Sequence, residues 1–166
     1  MIDDTDMELS RIVSKGVRRW KEEAITDLDA IDTWVLSIVH QPKEDARTPK
    51  DRCEICTSKE DRADMEQHHP GRTGYDHRTI TACIKNNQCH NRLTQCLRGW
   101  PEYKAGIKNP TIKREYFLRG LQDMLILKSE RTGNMYYRLL ANEYSEDIRK
   151  LAKINEQFKD DKIKSG

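Results

Sequence analysis

Cys53 and Cys56 come first along the chain, then the doublet His68-His69, then Cys83, and then the pair Cys89-His90. Four thiols in two spaced pairs can close a tetrahedral zinc site, because thiolate sulfurs satisfy Zn²⁺ without a solvent ligand. Histidines placed between and just after those pairs lie close to wherever the metal ties the chain. Two imidazoles beside a third are enough to hold a second, open metal ion and to supply a base. The order predicts two sites in one small module, one that folds it and one that carries out chemistry.

Cys53-x2-Cys56 has the spacing of a zinc knuckle, whose turn aims both sulfurs at one point. Cys83-x5-Cys89 is wider, so Ile84 to Gln88 must bulge around the metal. A histidine in place of Cys89 is the alternative fourth ligand. A Cys2His2 finger is excluded, because its histidines stand three to five residues apart and His77 is too far from His68 and His69. In an extended strand successive side chains point to opposite faces. His68 and His69 are therefore expected to divide two roles, metal ligand and base. His90, at the start of a helix, can meet one of them. A metal held by two imidazoles keeps positions open for a phosphate oxygen and water. An unmetallated imidazole of near-neutral pKa can take a proton from that water.

This pattern resembles the HNH endonuclease family, the ββα-metal or His-Me finger type supported by a four-cysteine zinc site. The resemblance covers about Cys53 to Leu97. It rests on Cys53-Glu54-Ile55-Cys56, on Gln67-His68-His69-Pro70-Gly71-Arg72, and on Thr81-Ala82-Cys83 leading to Cys89-His90-Asn91-Arg92-Leu93-Thr94. It implies His68 as the first-strand metal ligand, His69 as the general base and His90 as the helix ligand. It also implies a catalytic divalent ion, Mg²⁺ or Mn²⁺, at the scissile phosphate, beside structural Zn²⁺. Two positions depart from the family. Arg78, flanked by His77, stands where the family places an asparagine, so orienting the base falls to His77, Arg78, Asn86 or Asn87. Thr94 stands where a second helix histidine would strengthen the metal site.

The net charge of +2 conceals an asymmetry: residues 67–119 hold ten Lys and Arg against three Asp and Glu. A phosphate-rich partner is drawn to such a segment by Coulomb attraction and counterion release. Arg72, Arg78, Lys85, Arg92 and Arg98 are the candidate phosphate contacts, and DNA is the expected partner, with RNA not excluded. Two other readings compete with the nuclease. One is a non-catalytic zinc-stabilised nucleic-acid-binding module. The other is an adaptor working through its helices, which leaves the basic segment unexplained.

The elements that must position these residues are mostly helical. Leu9, Ile12, Val13, Gly16, Val17, Trp20 and Ala24 recur at helical spacing over 7–24. Thr26 or Asp27 can cap a second helix carrying Leu28, Ile31, Val35, Ile38 and Val39. Pro42 and Pro49 bracket a linker. Residues 64–69 and 79–84 are expected as short strands around a turn-rich loop at Pro70 to Gly74, followed by a helix from Cys89 to Gly99. Thr111 can cap a helix carrying Ile112, Phe117, Leu121, Met124 and Leu125. Thr132-Gly133-Asn134 breaks it, and one long helix from Met135 to Phe158 follows, with 159–166 unordered. The expected architecture is an α-rich α+β fold with three parts: an N-terminal helical arm and linker (1–49), a central ββα-metal, treble-clef-like zinc module (50–105), and a C-terminal helical region (106–166). The helical arms offer a surface for a homodimer or a protein partner.

With 36% hydrophobic and 35% charged residues and a mean hydropathy of −0.92, the chain is poor in core material, a shortage a metal staple helps offset. No apolar run approaches a membrane span, and Met1-Ile2-Asp3-Asp4 is unlike a signal peptide. The expectation is an intracellular protein, cytoplasmic or nucleoid-associated. Five cysteines in a reducing compartment then read as four ligands and a spare, Cys96, expected as buried packing.

Overall fold

The computed structural model describes residues 7–14, 28–42, 49–71, 76–96 and 110–165. It is helix-rich with one small antiparallel sheet, as expected for the α-rich α+β class. In chain order the elements are α1 (7–14), α2 (Leu28–Val39), β1 (Met65–His68), β2 (Ile80–Cys83), α3 (Cys89–Cys96), α4 (Pro110–Thr132), α5 (Met135–Glu143) and α6 (Ser145–Ser165). The caps expected at Thr26 or Asp27, the remainder of the first helix and the linker centre lie outside the described residues. No helix among the described residues is long and apolar enough to cross a membrane.

The hairpin register pairs Met65 with Cys83, Glu66 with Ala82, Gln67 with Thr81 and His68 with Ile80. Side-chain alternation then puts Met65, Gln67, Thr81 and Cys83 on one face, and His68, Ile80 and Ala82 on the other. The first face carries a polar ladder. Thr81 Oγ1 donates to Gln67 Oε1 at 2.7 Å, Gln67 Nε2 donates to Thr79 Oγ1 at 3.0 Å, and Gln41 brackets the Thr79 backbone at 2.8 Å on both its N–H and its carbonyl. Gln41 follows α2, so these bonds fasten the end of that helix to the sheet.

The C-terminal helices differ from expectation in three places. Pro110 opens α4, where its fixed φ and missing N–H cost nothing, and Thr111 lies inside the first turn rather than capping it. The single long helix divides at Tyr144. Gln122 Nε2 there donates at 2.9 Å both to the Ala141 carbonyl, which also accepts from the Tyr144 N–H, and to Ser145 Oγ. Tyr144 Oη reaches the Val13 carbonyl at 3.1 Å, so the break also clasps α1. Beyond it, α6 continues as helix to Ser165 instead of ending in an unordered tail. The expected break after Thr132 is present: Gly133 takes φ +75°, and the Asn134 side chain caps α5 by accepting from the Tyr136 N–H.

The spine of the molecule is α4. Phe117, Leu118, Leu121, Met124, Leu125 and Leu127 of this helix are buried with Leu9 and Val13 of α1, Val35 of α2 and Leu140 of α5 in one continuous core, and Ile112 and Tyr116 are buried nearer its start. The zinc-ligand candidates and Leu93 of α3 belong to the same core.

Candidate metal centre and histidine cluster

The Sγ atoms of Cys53, Cys56, Cys83 and Cys89 all lie within 4.8 Å of one another. Cys56 and Cys83 are 3.7 Å apart, against about 3.8 Å for the edge of a tetrahedron whose zinc–sulfur bonds are about 2.3 Å. Cys89 completes the set, so no histidine is needed as the fourth ligand. The four cysteines can hold a metal ion such as zinc.

Local backbone explains how the chain reaches this geometry. The Ile55 and Cys56 N–H groups point at Cys53 Sγ at 3.4 and 3.5 Å, while Thr57 N–H returns to the Cys53 carbonyl at 3.0 Å. Thr57 at φ 66° closes this knuckle, and Gln88 at φ 51° turns the chain into Cys89. The cysteines respond as a crowded set. The Cys89 thiol donates to Cys53, which draws Cys53 down to about 4 and pushes Cys89 up. Burial pushes Cys83 up as well. Burial opposes the fall of Cys56, but hydrogen bonds from Ser58 and Asn87 outweigh it. Asn87, one candidate for orienting the base, thus serves the metal loop instead. Asn86, the other, is tied through its N–H to Glu60 Oε1 at 2.6 Å.

His68 stands on the other face of the hairpin. His68 and His90 stand with ring centroids 6.1 Å apart and planes at 83°. Two imidazoles sharing one ion at octahedral or tetrahedral angles, each nitrogen about 2.1 Å from it, would have centroids about 4.5–5.2 Å apart, so His68 and His90 stand roughly 1 Å wider than that. His68 is 4% exposed, and burial first, then His90 and His69, push its pKa down to about 3. It is therefore neutral at physiological pH, as a metal ligand must be. His69, half-buried, lies just past the end of β1, and burial followed by nearby His77 lowers its pKa. His77 is fixed by its Nε2 on the Gln41 carbonyl at 3.0 Å. Thr94 turns its hydroxyl back onto the His90 carbonyl at 2.9 Å.

The basic residues fare unequally. Arg78, expected among the phosphate contacts, is 1% exposed: its Nη1 donates to both Asp76 carboxylate oxygens at 2.7 and 2.9 Å, its Nε donates to the Val39 carbonyl at 2.8 Å, and the guanidinium lies 5.1 Å from the Phe117 ring. Charge-assisted bonds to a carboxylate two residues away make it an interior strut instead of surface charge. Lys85 is exposed and pairs with Asp64 at 3.0 Å, and Arg92 is exposed on α3. Arg72 and Arg98 lie outside the described residues. Cys96, expected as buried packing, is exposed at the end of α3.

Three contributors were not found from the sequence. Gln41 anchors both Thr79 and His77. Glu54, inside the knuckle, accepts from the Thr81 N–H at 2.6 Å and from Trp34 Nε1 at 3.2 Å. Lys128 of α4 donates from Nζ to the Glu54 carbonyl, and burial lowers its pKa against the pull of Glu54, Cys53 and Cys56. Its signal was present: Lys128 continues the apolar stripe of Leu121, Met124 and Leu125 at helical spacing.

No protein-family model matches the chain, and no curated protein or solved structure matches it significantly.

Proposed function

We propose that the protein is a metal-dependent endonuclease of the HNH type, hydrolysing phosphodiester bonds in DNA from a treble-clef-like ββα module stapled by zinc on the four cysteines. The approach of His68 to His90, with His69 beside them, carries this reading. His68 and His90 would hold a divalent ion such as Mg²⁺ or Mn²⁺. When bound, such an ion supplies charge neutralisation at the scissile phosphate and at the leaving 3′ oxygen. His69, kept neutral by burial and by His77, takes the proton of the attacking water, and the nucleophile then enters in line with the leaving oxygen. His77, braced on Gln41, stands in for the family's asparagine in orienting that base. Of the five candidate phosphate contacts, Lys85, paired with Asp64, and Arg92 are exposed and would face flanking phosphates.

The expected outcome is nicking or cutting of plasmid DNA by the purified protein with Mg²⁺ or Mn²⁺. His69→Ala should lower the rate by about 10²- to 10⁴-fold with an unchanged melting profile. Equal activity of wild type and His69→Ala in every metal sinks the enzyme reading. Thr94 favours a second reading, because its hydroxyl is occupied by the helix and offers no third ligand. That reading is a zinc-stabilised module that binds nucleic acid without cutting it. Metal counting separates the two: a second, weaker metal lost in His68→Ala or His90→Ala belongs to the nuclease, and one tight zinc alone belongs to the binder.

A further inference from the structure

Lys128 is a charge placed where charge is costly. It is 7% exposed on α4, with Nζ 3.8 Å from the Trp34 ring centroid and 5.2 Å from that of Tyr137. The two rings meet edge to face at 6.1 Å, so α2 and α5 together build a cage around the ammonium. The remaining side is filled by the Glu54 carbonyl, in the turn between Cys53 and Cys56. Ring faces and a neutral carbonyl only partly compensate a desolvated cation. The nearest carboxylate, that of Glu54, is engaged elsewhere by Lys50 at 3.1 Å, by Trp34 and by the Thr81 N–H. Four thiolates around Zn²⁺ leave a doubly negative centre in the interior. The cage holds a positive charge against the knuckle of that centre.

We propose that Lys128 is the counter-cation of the tetrathiolate zinc centre, positioned by Trp34, Tyr137 and the Glu54 carbonyl, and that it retains the metal from a helix outside the zinc module. The proposal rests on zinc occupying the four cysteines. The cation lowers the electron density on the sulfurs, so protons and competing chelators take the metal less readily. Groups around a metal's ligands commonly set its affinity by 10- to 100-fold.

Two substitutions separate charge from hydrogen bonding. Lys128→Gln keeps a donor for the Glu54 carbonyl and removes the charge, whereas Lys128→Arg keeps the charge. Zinc transfer from the purified full chain to a chromophoric chelator gives the rate, and sulfur-to-metal charge-transfer bands of the Co²⁺-substituted protein give the sulfur electron density. The expected result is roughly tenfold faster zinc loss from Lys128→Gln with charge-transfer bands moved to lower energy, and near wild-type behaviour of Lys128→Arg. Failure of Lys128→Gln to fold on zinc while Lys128→Arg folds also supports the charge. Equal release from wild type and Lys128→Gln, or an equal defect in Lys128→Arg, overturns the proposal. Wild-type protein that takes up no zinc at all removes the zinc reading beneath it, an outcome distinct from the others.

Discussion

The hairpin region and the C-terminal helices bury comparable stretches of chain by different means. In α4–α6 the interior is mainly Phe117, Leu118, Leu121, Met124, Leu125, Leu140 and Tyr144, with few buried polar side chains, Glu115, Lys128, Ser129 and Asn155, among them. Around the hairpin the interior includes His68 together with Asp76, Arg78, Thr79 and Thr81, the last four held by specific hydrogen bonds, and the cysteines. An apolar core tolerates the loss of any one contact at about 2–5 kcal/mol. A core of matched polar groups around a metal is nearer to all or nothing, because every group left unpaired carries its own desolvation cost. The difference teaches where each region takes its stability from, and it can be broken experimentally one side at a time.

The largest effect is expected from the metal side. Cys56→Ser or Cys83→Ser should abolish zinc binding and with it hydrogen-exchange protection over residues 50–96, because metal affinity of this kind, about 10–16 kcal/mol in small zinc modules, is folding free energy. Protection in α4 and α5 should survive, since these two helices pack extensively on each other as well as on the metal module. Full zinc stoichiometry in either variant refutes that ligand, and simultaneous loss of α4 protection refutes the division into two sources of stability.

The same division decides what the sequence could disclose. The cysteines, both strands and the start of α3 were legible because metal ligands and tight turns leave their mark within a few residues. His68 beside His90 was legible in part: the doublet and the Cys89-His90 pair named the participants, but their approach depends on hairpin register and on α3 crossing it. The division of the last helices at Tyr144 was not legible, because the apolar spacing from Met135 onward continues without a breaker. What decides it is Gln122, a residue on another helix. Arg78 was misjudged and Lys128 passed over for one reason. Charged residues are taken as surface unless a partner is seen, and the partners are Asp76 in a loop and an aromatic cage drawn from two separate helices.

The seam between the regions supplies a sharper test, because two principles give it opposite signs. Gly120, in the middle of α4, lies against the turn after His69: a Cβ built there would stand 1.9 Å from the Pro70 carbonyl oxygen. Helix propensity alone makes Gly120→Ala stabilising by about 1 kcal/mol. The clash is with backbone, which has no rotamer to move, and overpacking of this kind costs about 1–3 kcal/mol. A lower melting temperature is expected, and the proposed nuclease activity should fall further than stability, since the displaced turn carries His69. A higher melting temperature would show that α4 and the histidine turn are not in close contact.

The smallest effect belongs to the helical side, at a partly buried carboxyl. Burial pushes the Asp123 carboxyl on α4 up to about 6, against a weaker opposing pull from Arg119. A carboxyl whose pKa is higher in the folded than in the unfolded chain favours folding below the unfolded value, about 3.9, and loses that contribution as pH rises through about 6. At pH 7.5 the folded protein therefore carries an ionised group it would sooner keep neutral. Asp123→Asn removes the ionisation at nearly equal volume and helix propensity. It should raise the melting temperature at pH 7.5 by a degree or two, discounting for the part of the carboxyl that water reaches. The gain should vanish by pH 4. His68 and His69, with depressed pKa values, lower stability over the same acid range, but they do so in both proteins and cancel from the difference. A gain of equal size at both pH values would trace to packing instead, and Asp123 would then belong with the apolar side of the comparison.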